Sequence, residues 1–165
     1  MAREKTVKIP AGVEVSLNGK VVTVKGPKGS VKTELPPVNA TVDKGEFSAV
    51  SDDKAARNTA LALVRSAVKG VTEGYQCRMQ MVYAHFPMTI ETKGKEIVIK
   101  NFLGEKIPRV ANLVGDTTIK VEKDILVVNG PNAHAVGQTV ANIRTATKIK
   151  NKDSRVFQDG VYPLR

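Results

Sequence analysis

Two stretches of the chain recur further along it, and this internal duplication narrows the folds open to the protein. GKVVTVKGPKG, residues 19–29, aligns with GKEIVIKNFLG, residues 94–104, at an offset of 75. NTALALVRSAVKGV, residues 58–71, aligns with GQTVANIRTATKIK, residues 137–150, at an offset of 79. The larger second offset indicates four additional residues in the second copy, near Arg109 to Asp116. Repeats of this length predict duplicated domains instead of a solenoid of short units.

The first copy has the pattern of antiparallel hairpins followed by a helix. VEVSL and KVVTV flank Asn18–Gly19, a dipeptide that accepts the positive φ angles of a tight turn. VKTEL supplies a third strand, and TVDKGEFSAV forms a second hairpin. Ser51, Asp52 and Asp53 are expected to cap the helix, and Gly70 is expected to end it. The strand YQCRMQMVY follows and closes this copy.

The second copy repeats this order. MTIET and KEIVI flank Lys93–Gly94, TIKVEKDILVV forms the next hairpin, and a helix follows NGPN. Pro87 in the segment AHFP favours extended backbone and marks a linker. The sequence therefore predicts an α+β protein of two tandem duplicated domains, each with antiparallel β-sheets and one α-helix around a single core. The expected boundaries are residues 1–83 for the first domain, 84–87 for the linker, and 88–165 for the second domain with its basic tail.

The charge balance indicates a polyanionic partner. The chain has 26 basic and 16 acidic residues, a formal net charge of +10 and a pI near 9.8. Such an excess is most simply explained by nucleic acid, although a basic protein without such a partner is the alternative. Helix-turn-helix and zinc-finger spacings are absent from the sequence, and the few aromatic residues offer no stacking platform for single strands. These features favour folded, double-helical RNA.

The residue pattern does not suggest an enzyme. The only histidines, His85 and His134, have no second ligand at metal-binding spacing, and a helix cap accounts for Asp52 and Asp53. Glycine and lysine in GKVVTVKGPKG are not in the order of a phosphate-binding loop. We therefore expect no catalytic residues, no cofactor and no metal. Cys77 is the only cysteine, and no apolar run approaches membrane-spanning length, so we expect a cytoplasmic protein without a membrane partner.

The densest group of cations lies at the end of the chain. Residues 144–165 contain six basic and two acidic residues, beginning with Arg144 and continuing through Lys148, Lys150, Lys152 and Arg155. On an extended segment, lysines at every second position lie on one side, about 6.5–7 Å apart, close to the spacing of phosphates along a strand. The alternative is a solvated, disordered tail, but apolar side chains in FQDGVY argue against it.

The second helix combines small and polar residues on one stripe. Helical spacing aligns Gly137, Ala141, Arg144 and Lys148, and Gln138 and Asn142 lie beside them, whereas the apolar stripe comprises Val136, Val140, Ile143 and Thr147. Small residues let a helix approach another backbone closely, and amides can bond to sugar hydroxyls or base edges. Ordinary packing of the small residues against the sheet is the alternative.

Four segments together resemble one protein family over essentially the whole chain. These are GVTEGYQCRMQMVYAHFP (70–87), NFLGEKIPRV (101–110), VGQTVANIRTAT (136–147) and NKDSRVFQDGVY (151–162). They are similar to large ribosomal subunit protein six, in the form found in archaea and eukaryotes. The resemblance implies a structural, RNA-binding component of the large subunit with two homologous α+β domains. A free RNA- or DNA-binding regulator outside the ribosome is the alternative function.

The resemblance also implies a location, partners and contact residues. It implies a place near the base of the lateral stalk, close to the sarcin–ricin loop where translational GTPases dock, beside neighbouring large-subunit proteins. It implies that the second domain makes the main contacts to large-subunit rRNA, and Lys28 in the GPKG turn is a further implied contact. The implied rRNA contacts of the second domain are Gly137, Gln138, Asn142, Arg144, Lys148, Lys150, Lys152 and Arg155.

Overall fold

A computed structural model describes residues 3–43, 45–153 and 155–164, with side chains from Thr6 onward. The chain forms two compact units. The first runs to Gly74 and includes Pro131–Ala133, and the second comprises Tyr75–Gly130 and continues from His134. Each unit consists of antiparallel sheets and one α-helix, which confirms the predicted α+β fold of two duplicated halves.

The first unit has two three-stranded sheets, ordered β1-β6-β5 and β2-β3-β4. Its helix α1 packs against β1, β3, β4 and β6. Fully buried side chains such as Phe47, Val22 and Val64 form the core, and each contributes roughly 1.5–3 kcal/mol through burial of apolar surface. The elements are β1 (Arg3–Lys8), β2 (Glu14–Asn18), β3 (Val21–Gly26), β4 (Gly29–Glu34), β5 (Asn39–Asp43), β6 (Glu46–Ser51) and α1 (Lys54–Thr72).

The second unit has a three-stranded sheet, β10-β9-β8, and a four-stranded sheet, β11-β12-β7-β13. Its core joins both sheets to the helix through buried residues that include Met79, Ile97, Phe102, Leu126 and Ile143. The elements are β7 (Tyr75–Val82), β8 (Thr89–Lys93), β9 (Glu96–Lys100), a 3₁₀ turn (Phe102–Gly104), β10 (Arg109–Asn112), β11 (Thr118–Glu122), β12 (Ile125–Gly130), α2 (Ala133–Ala146) and β13 (Gly160–Pro163).

The strand β7 belongs to the second unit, whereas the sequence-based boundary of residues 1–83 included it in the first. β7 lies between β12 and β13, in the position that β1 occupies beside β6 in the first unit. Its alternating side chains explain this placement, because Met79 and Met81 point into the second core. The predicted linker AHFP is also held in the second unit, where Ala84 N–H donates to Asp159 and the Asn101 side chain donates to the Pro87 carbonyl.

Two local expectations differ from the structure. Helix α1 is capped by Asp53, whose Oδ1 accepts from Ala55 N–H at 2.8 Å, and it continues through Gly70 because the buried stripe extends to Val71. Three of the four additional residues of the second copy lengthen the connection between β9 and β10, where the first copy has only a two-residue turn between Gly26 and Gly29. The fourth lies between β10 and β11, within or next to the expected range of Arg109 to Asp116.

Candidate nucleic-acid interface

Helix α2 is attached to the second unit along one face. Val136 and Ile143 are buried in the core, as the apolar stripe predicts. Thr139 is fully buried, and its hydroxyl accepts from Val114 N–H at 3.1 Å and lies 3.3 Å from the Thr117 hydroxyl. These contacts fix the rotation of the helix about its axis and therefore decide which residues face solvent.

The opposite face of α2 is open. Gly137, Ala141 and Arg144 are exposed, and Lys148 follows them just beyond the helix. A Cβ atom placed on Gly137 would have no atom within 4 Å. The alternative that Gly137 and Ala141 pack against the sheet is therefore wrong. The small residues leave free space through which another molecule can approach the helix backbone.

The two amide residues have different surroundings. Asn142 is half-buried, and its Nδ2 donates to the Asn112 carbonyl at 2.9 Å, which ties α2 to the end of β10. Gln138 is exposed, and its Nε2 donates to Asn142 Oδ1 at 3.1 Å. The Asn142 side chain therefore stabilises the position of α2 against β10. Gln138 presents its side-chain carbonyl oxygen and remaining N–H to solvent.

A cleft of about 670 Å³ lies between the exposed side of α2 and the segment that follows it. Arg144 and Lys148 both line this cleft. Within the described ranges, none of the ion pairs involves Arg144, Lys148 or Lys150. Cations without carboxylate partners beside a concave surface are suited to phosphate groups. The remaining lining residues are Gly137, Val140, Ala141, Thr145, Thr147, Ile149, Phe157, Gln158, Val161, Tyr162 and Pro163.

The basic tail does not present its lysines on one side, as the alternation predicted. Asn151 has a φ of 58°, and this left-handed residue interrupts an extended segment. Lys148 lines the cleft beside α2, whereas Lys150 lines a separate depression with Arg109. The Lys152 ammonium lies 4.8 Å from the centre of the Phe157 ring. The predicted one-sided row of ammonium groups is therefore wrong.

Arg155 is also engaged within the protein. Its guanidinium binds Asp153 through two nitrogens, at 3.1 and 3.0 Å. The hydrogen bond from the Arg155 side chain is the main cause that lowers the pKa of the Asp153 carboxyl below its ordinary value. Arg155 therefore carries less unneutralised charge than Arg144, and its role as an rRNA contact stays a prediction.

The described part of the tail is docked on the second unit, in agreement with the expectation from its apolar residues. The Phe157 ring stacks on His85 with centroids 5.1 Å apart. Val161 is buried in the core, and its N–H donates to the Thr147 hydroxyl at 3.3 Å. The cleft therefore has a defined wall on its tail side.

Arg109 organises the end of α2, and the sequence analysis missed it. Its NH1 donates to the carbonyls of Ala146 and Lys148, at 2.8 and 2.9 Å, while Nε and NH2 bind both carboxylate oxygens of Glu105. The guanidinium also lies 4.4 Å from the centre of the Phe102 ring. The Glu105–Arg109 spacing was the available signal, but Glu105 lies in the lengthened β9–β10 connection, which the first copy replaces with a two-residue turn.

Lys28 lies in the first unit and is engaged there. Its N–H donates to the Val71 carbonyl at 3.0 Å, and its ammonium donates to the Glu73 carbonyl. A cation at the carboxyl end of α1 is favourable because the helix dipole is negative there. This gives Lys28 a structural role, and its contact to rRNA stays a prediction.

The described residues contain no group of three or more His, Cys, Asp or Glu side chains arranged to hold a metal ion. Cys77 is partly buried, and burial raises the pKa of its thiol. No helix among these residues has the length and apolar character needed to cross a membrane.

Gly137 permits a test that separates binding from folding. Gly137→Gln adds a side chain where the structure has open space, and it replaces glycine with a better helix former. We expect the free energy of unfolding to rise by about 0.5–1 kcal/mol, whereas RNA affinity falls by about tenfold because the new side chain blocks close approach. Chemical denaturation and filter binding measure the two effects. Gly94→Gln, in an exposed turn with φ of 61°, is a control that lowers stability and leaves affinity unchanged. Unchanged affinity of the Gly137 variant would contradict the prediction.

The exposed face of α2 and the cations beside it have the features expected of the nucleic-acid-binding class of proteins. Comparison with protein families gives a match to Ribosomal protein L6 over residues 9–74 and 86–160. The chain belongs to the ribosomal protein L6 family. This membership confirms the resemblance drawn from the four sequence segments and makes the chain a structural, non-enzymatic protein.

Similar proteins from archaea extend over nearly the whole chain. The large ribosomal subunit protein uL6 of Methanosarcina mazei is 46% identical, covering 96% of this chain and 94% of the relative. The proteins of the same name from Methanobrevibacter smithii and Natronomonas pharaonis are each 42% identical, covering 98% and 94% of this chain and 94% and 92% of the relatives. These relatives agree with the sequence resemblance to the form found in archaea and eukaryotes.

Proposed function

We propose that this protein is a structural constituent of the large ribosomal subunit that binds large-subunit rRNA through α2 and the adjoining cleft. The single observation that carries the proposal is the pairing of open space with unneutralised charge. Gly137 and Ala141 leave the helix accessible, and Arg144 and Lys148 stand beside that space without carboxylate partners among the described residues. Folded RNA is recognised by such backbone and shape contacts.

The location follows from the family resemblance and is part of the same proposal. The protein lies near the base of the lateral stalk, close to the sarcin–ricin loop region, with neighbouring large-subunit proteins beside it and translational GTPases nearby. There it supports translation by holding folded rRNA in place. The names of the similar proteins support assignment to the large subunit.

Footprinting on deproteinised large-subunit rRNA tests the proposal. We expect the purified protein to protect a folded segment near the sarcin–ricin loop from hydroxyl radicals. We also expect the affinity to fall with salt, by roughly 0.9 in the slope of log K against log salt for each phosphate contact on a duplex. Small-subunit rRNA is the matched control. Equal binding to both RNAs would favour a free RNA- or DNA-binding regulator. Sedimentation in which the protein stays at the top of the gradient instead of travelling with large subunits would favour it as well.

A further inference from the structure

Tyr162 on β13 has a ring that is fixed in place by its neighbours. A Cβ atom at Gly160 would lie 3.0–3.1 Å from the hydroxyl, Cζ and Cε2 atoms of the ring, so the ring rests directly over this glycine. The hydroxyl donates to the Gln158 carbonyl at 3.2 Å. Glycine in a strand often marks a close approach of this kind. The Tyr162 ring is therefore held by the hydrogen bond of its hydroxyl and by its close approach to Gly160.

The Tyr162 side chain is also partly accessible to solvent. Tyr162 remains 41% exposed, although it is held in place. An aromatic ring that is already fixed loses little conformational entropy when a ligand stacks on it. The exposed part of the side chain is therefore available to a partner.

The surroundings of Tyr162 are suited to a nucleotide. Tyr162 and Gln158 line the same cleft as Arg144 and Lys148. Gln80 is directly opposite Tyr162 in the pairing of β7 and β13, and it is exposed. Residues directly opposite each other share one face of a sheet. An aromatic ring, an amide and two cations are the groups that bind a base, its polar edge and its phosphates.

We propose that an unpaired nucleobase of the RNA stacks on the exposed part of the Tyr162 side chain, with flanking phosphates bound by Arg144 and Lys148. This inference rests on the proposed function, and it adds a single-stranded element to the recognition of folded RNA. The low aromatic content argued against a stacking platform for single strands, but one fixed ring is sufficient to stack one base. Gln80 presents its amide to the edge of that base.

Replacement of Tyr162 by leucine or phenylalanine tests the inference. Tyr162→Leu keeps an apolar side chain over Gly160 but cannot stack, and we expect affinity for deproteinised large-subunit rRNA to fall about tenfold. Tyr162→Phe keeps the ring, and we expect a loss of less than threefold, about 0.6 kcal/mol. The slope of log K against log salt stays unchanged in both, because no phosphate contact is removed. Tyr83→Leu is the matched control, since Tyr83 is similarly exposed and its hydroxyl donates to Asp124.

Ultraviolet crosslinking of the unaltered protein to the same RNA gives a second measurement. We expect the crosslinked peptide to contain Tyr162, and thermal unfolding shows whether each variant is folded. The inference is overturned if a folded Tyr162→Leu variant binds with wild-type affinity, or if the leucine and phenylalanine variants lose affinity equally. It is also overturned if the RNA crosslinks only to residues other than Tyr162. Failure of the proposed function is distinguishable from failure of this inference. In that case the unaltered protein would not bind large-subunit rRNA in preference to small-subunit rRNA. If the leucine variant does not fold, the crosslink decides.

Discussion

Changing Arg144 and Lys148 together to glutamine lowers the affinity for large-subunit rRNA by about 100-fold at physiological salt. The two side chains line one cleft and have no carboxylate partner among the described residues, so both charges are available to phosphates. Charge-assisted hydrogen bonds contribute about 1.5–3 kcal/mol each, which is about tenfold or more per contact. Titrations at several salt concentrations should show a slope smaller by about 1.8, since two counterion-releasing contacts are lost.

The first copy supplies a matched control for this double substitution. Arg65 and Lys69 align with Arg144 and Lys148 in the repeat. Both are exposed on α1, but a Glu73 carboxylate oxygen lies 3.9 Å from the Lys69 ammonium nitrogen. We expect Arg65→Gln with Lys69→Gln to remove the same formal charge and to change the affinity by less than about threefold. Equal losses from the two double variants would mean that net charge alone attracts the RNA, and the α2 face would lose its assigned role.

Arg109→Ala lowers the free energy of unfolding by about 3 kcal/mol. The substitution removes a hydrogen bond to the last residue of α2 and another to the Lys148 carbonyl just beyond it. It also removes the paired contact with Glu105 and the contact with the Phe102 ring. Hydrogen bonds to charged groups contribute about 1.5–3 kcal/mol each, but contacts of one side chain are not additive. Chemical denaturation measures the loss, and hydrogen exchange should show earlier opening of the last turn of α2.

A lysine at the same position separates charge from geometry. Arg109→Lys keeps the positive charge but cannot bind Glu105 and both carbonyls at once. We expect it to recover less than half of the stability lost in the alanine variant. Full recovery would show that the charge alone is sufficient and that the forked contacts are incidental.

The pH dependence of stability provides an independent check on the Glu105–Arg109 pair. The hydrogen bond from Arg109 is the main cause that lowers the pKa of Glu105 below its ordinary value of 4.5, and the nearby charges of Arg109 and Lys152 act in the same direction. Because the folded-state pKa is lowered, the stabilisation is present above pH 4.5 and is lost as the pH falls through the folded-state pKa. The difference in stability between the wild type and Glu105→Gln should therefore narrow below pH 4.5.

Periodicity predicted the buried stripe of the second helix. Val136 and Ile143 repeat at helical spacing, so their burial leaves Gly137, Ala141 and Arg144 on the open face. Alternating residues and glycine turns likewise predicted the hairpins of both copies. These are local consequences of side-chain direction and backbone freedom, and they do not depend on distant parts of the chain.

Long-range contacts decided the rest of the site. The alternation of the tail lysines gave no indication that Asn151 adopts a left-handed conformation, or that Lys152 lies over Phe157. The contacts of Arg109 likewise join residues 37 and 39 positions apart in the chain. Such contacts depend on which distant segments the fold brings together, and a local sequence pattern does not encode this.

By itself, the sequence determined the duplication, the α+β class, the apolar stripe of α2 and the family. It did so because residue spacing and composition act over a few positions and recur in both copies. Only the tertiary structure decided that β7 belongs to the second unit, that Arg155 is paired with Asp153, and that Tyr162 lies fixed over Gly160. The physical reason is that strand partners, ion pairs and ring contacts are selected by the folded arrangement of the whole chain, in which segments far apart in sequence compete for the same space.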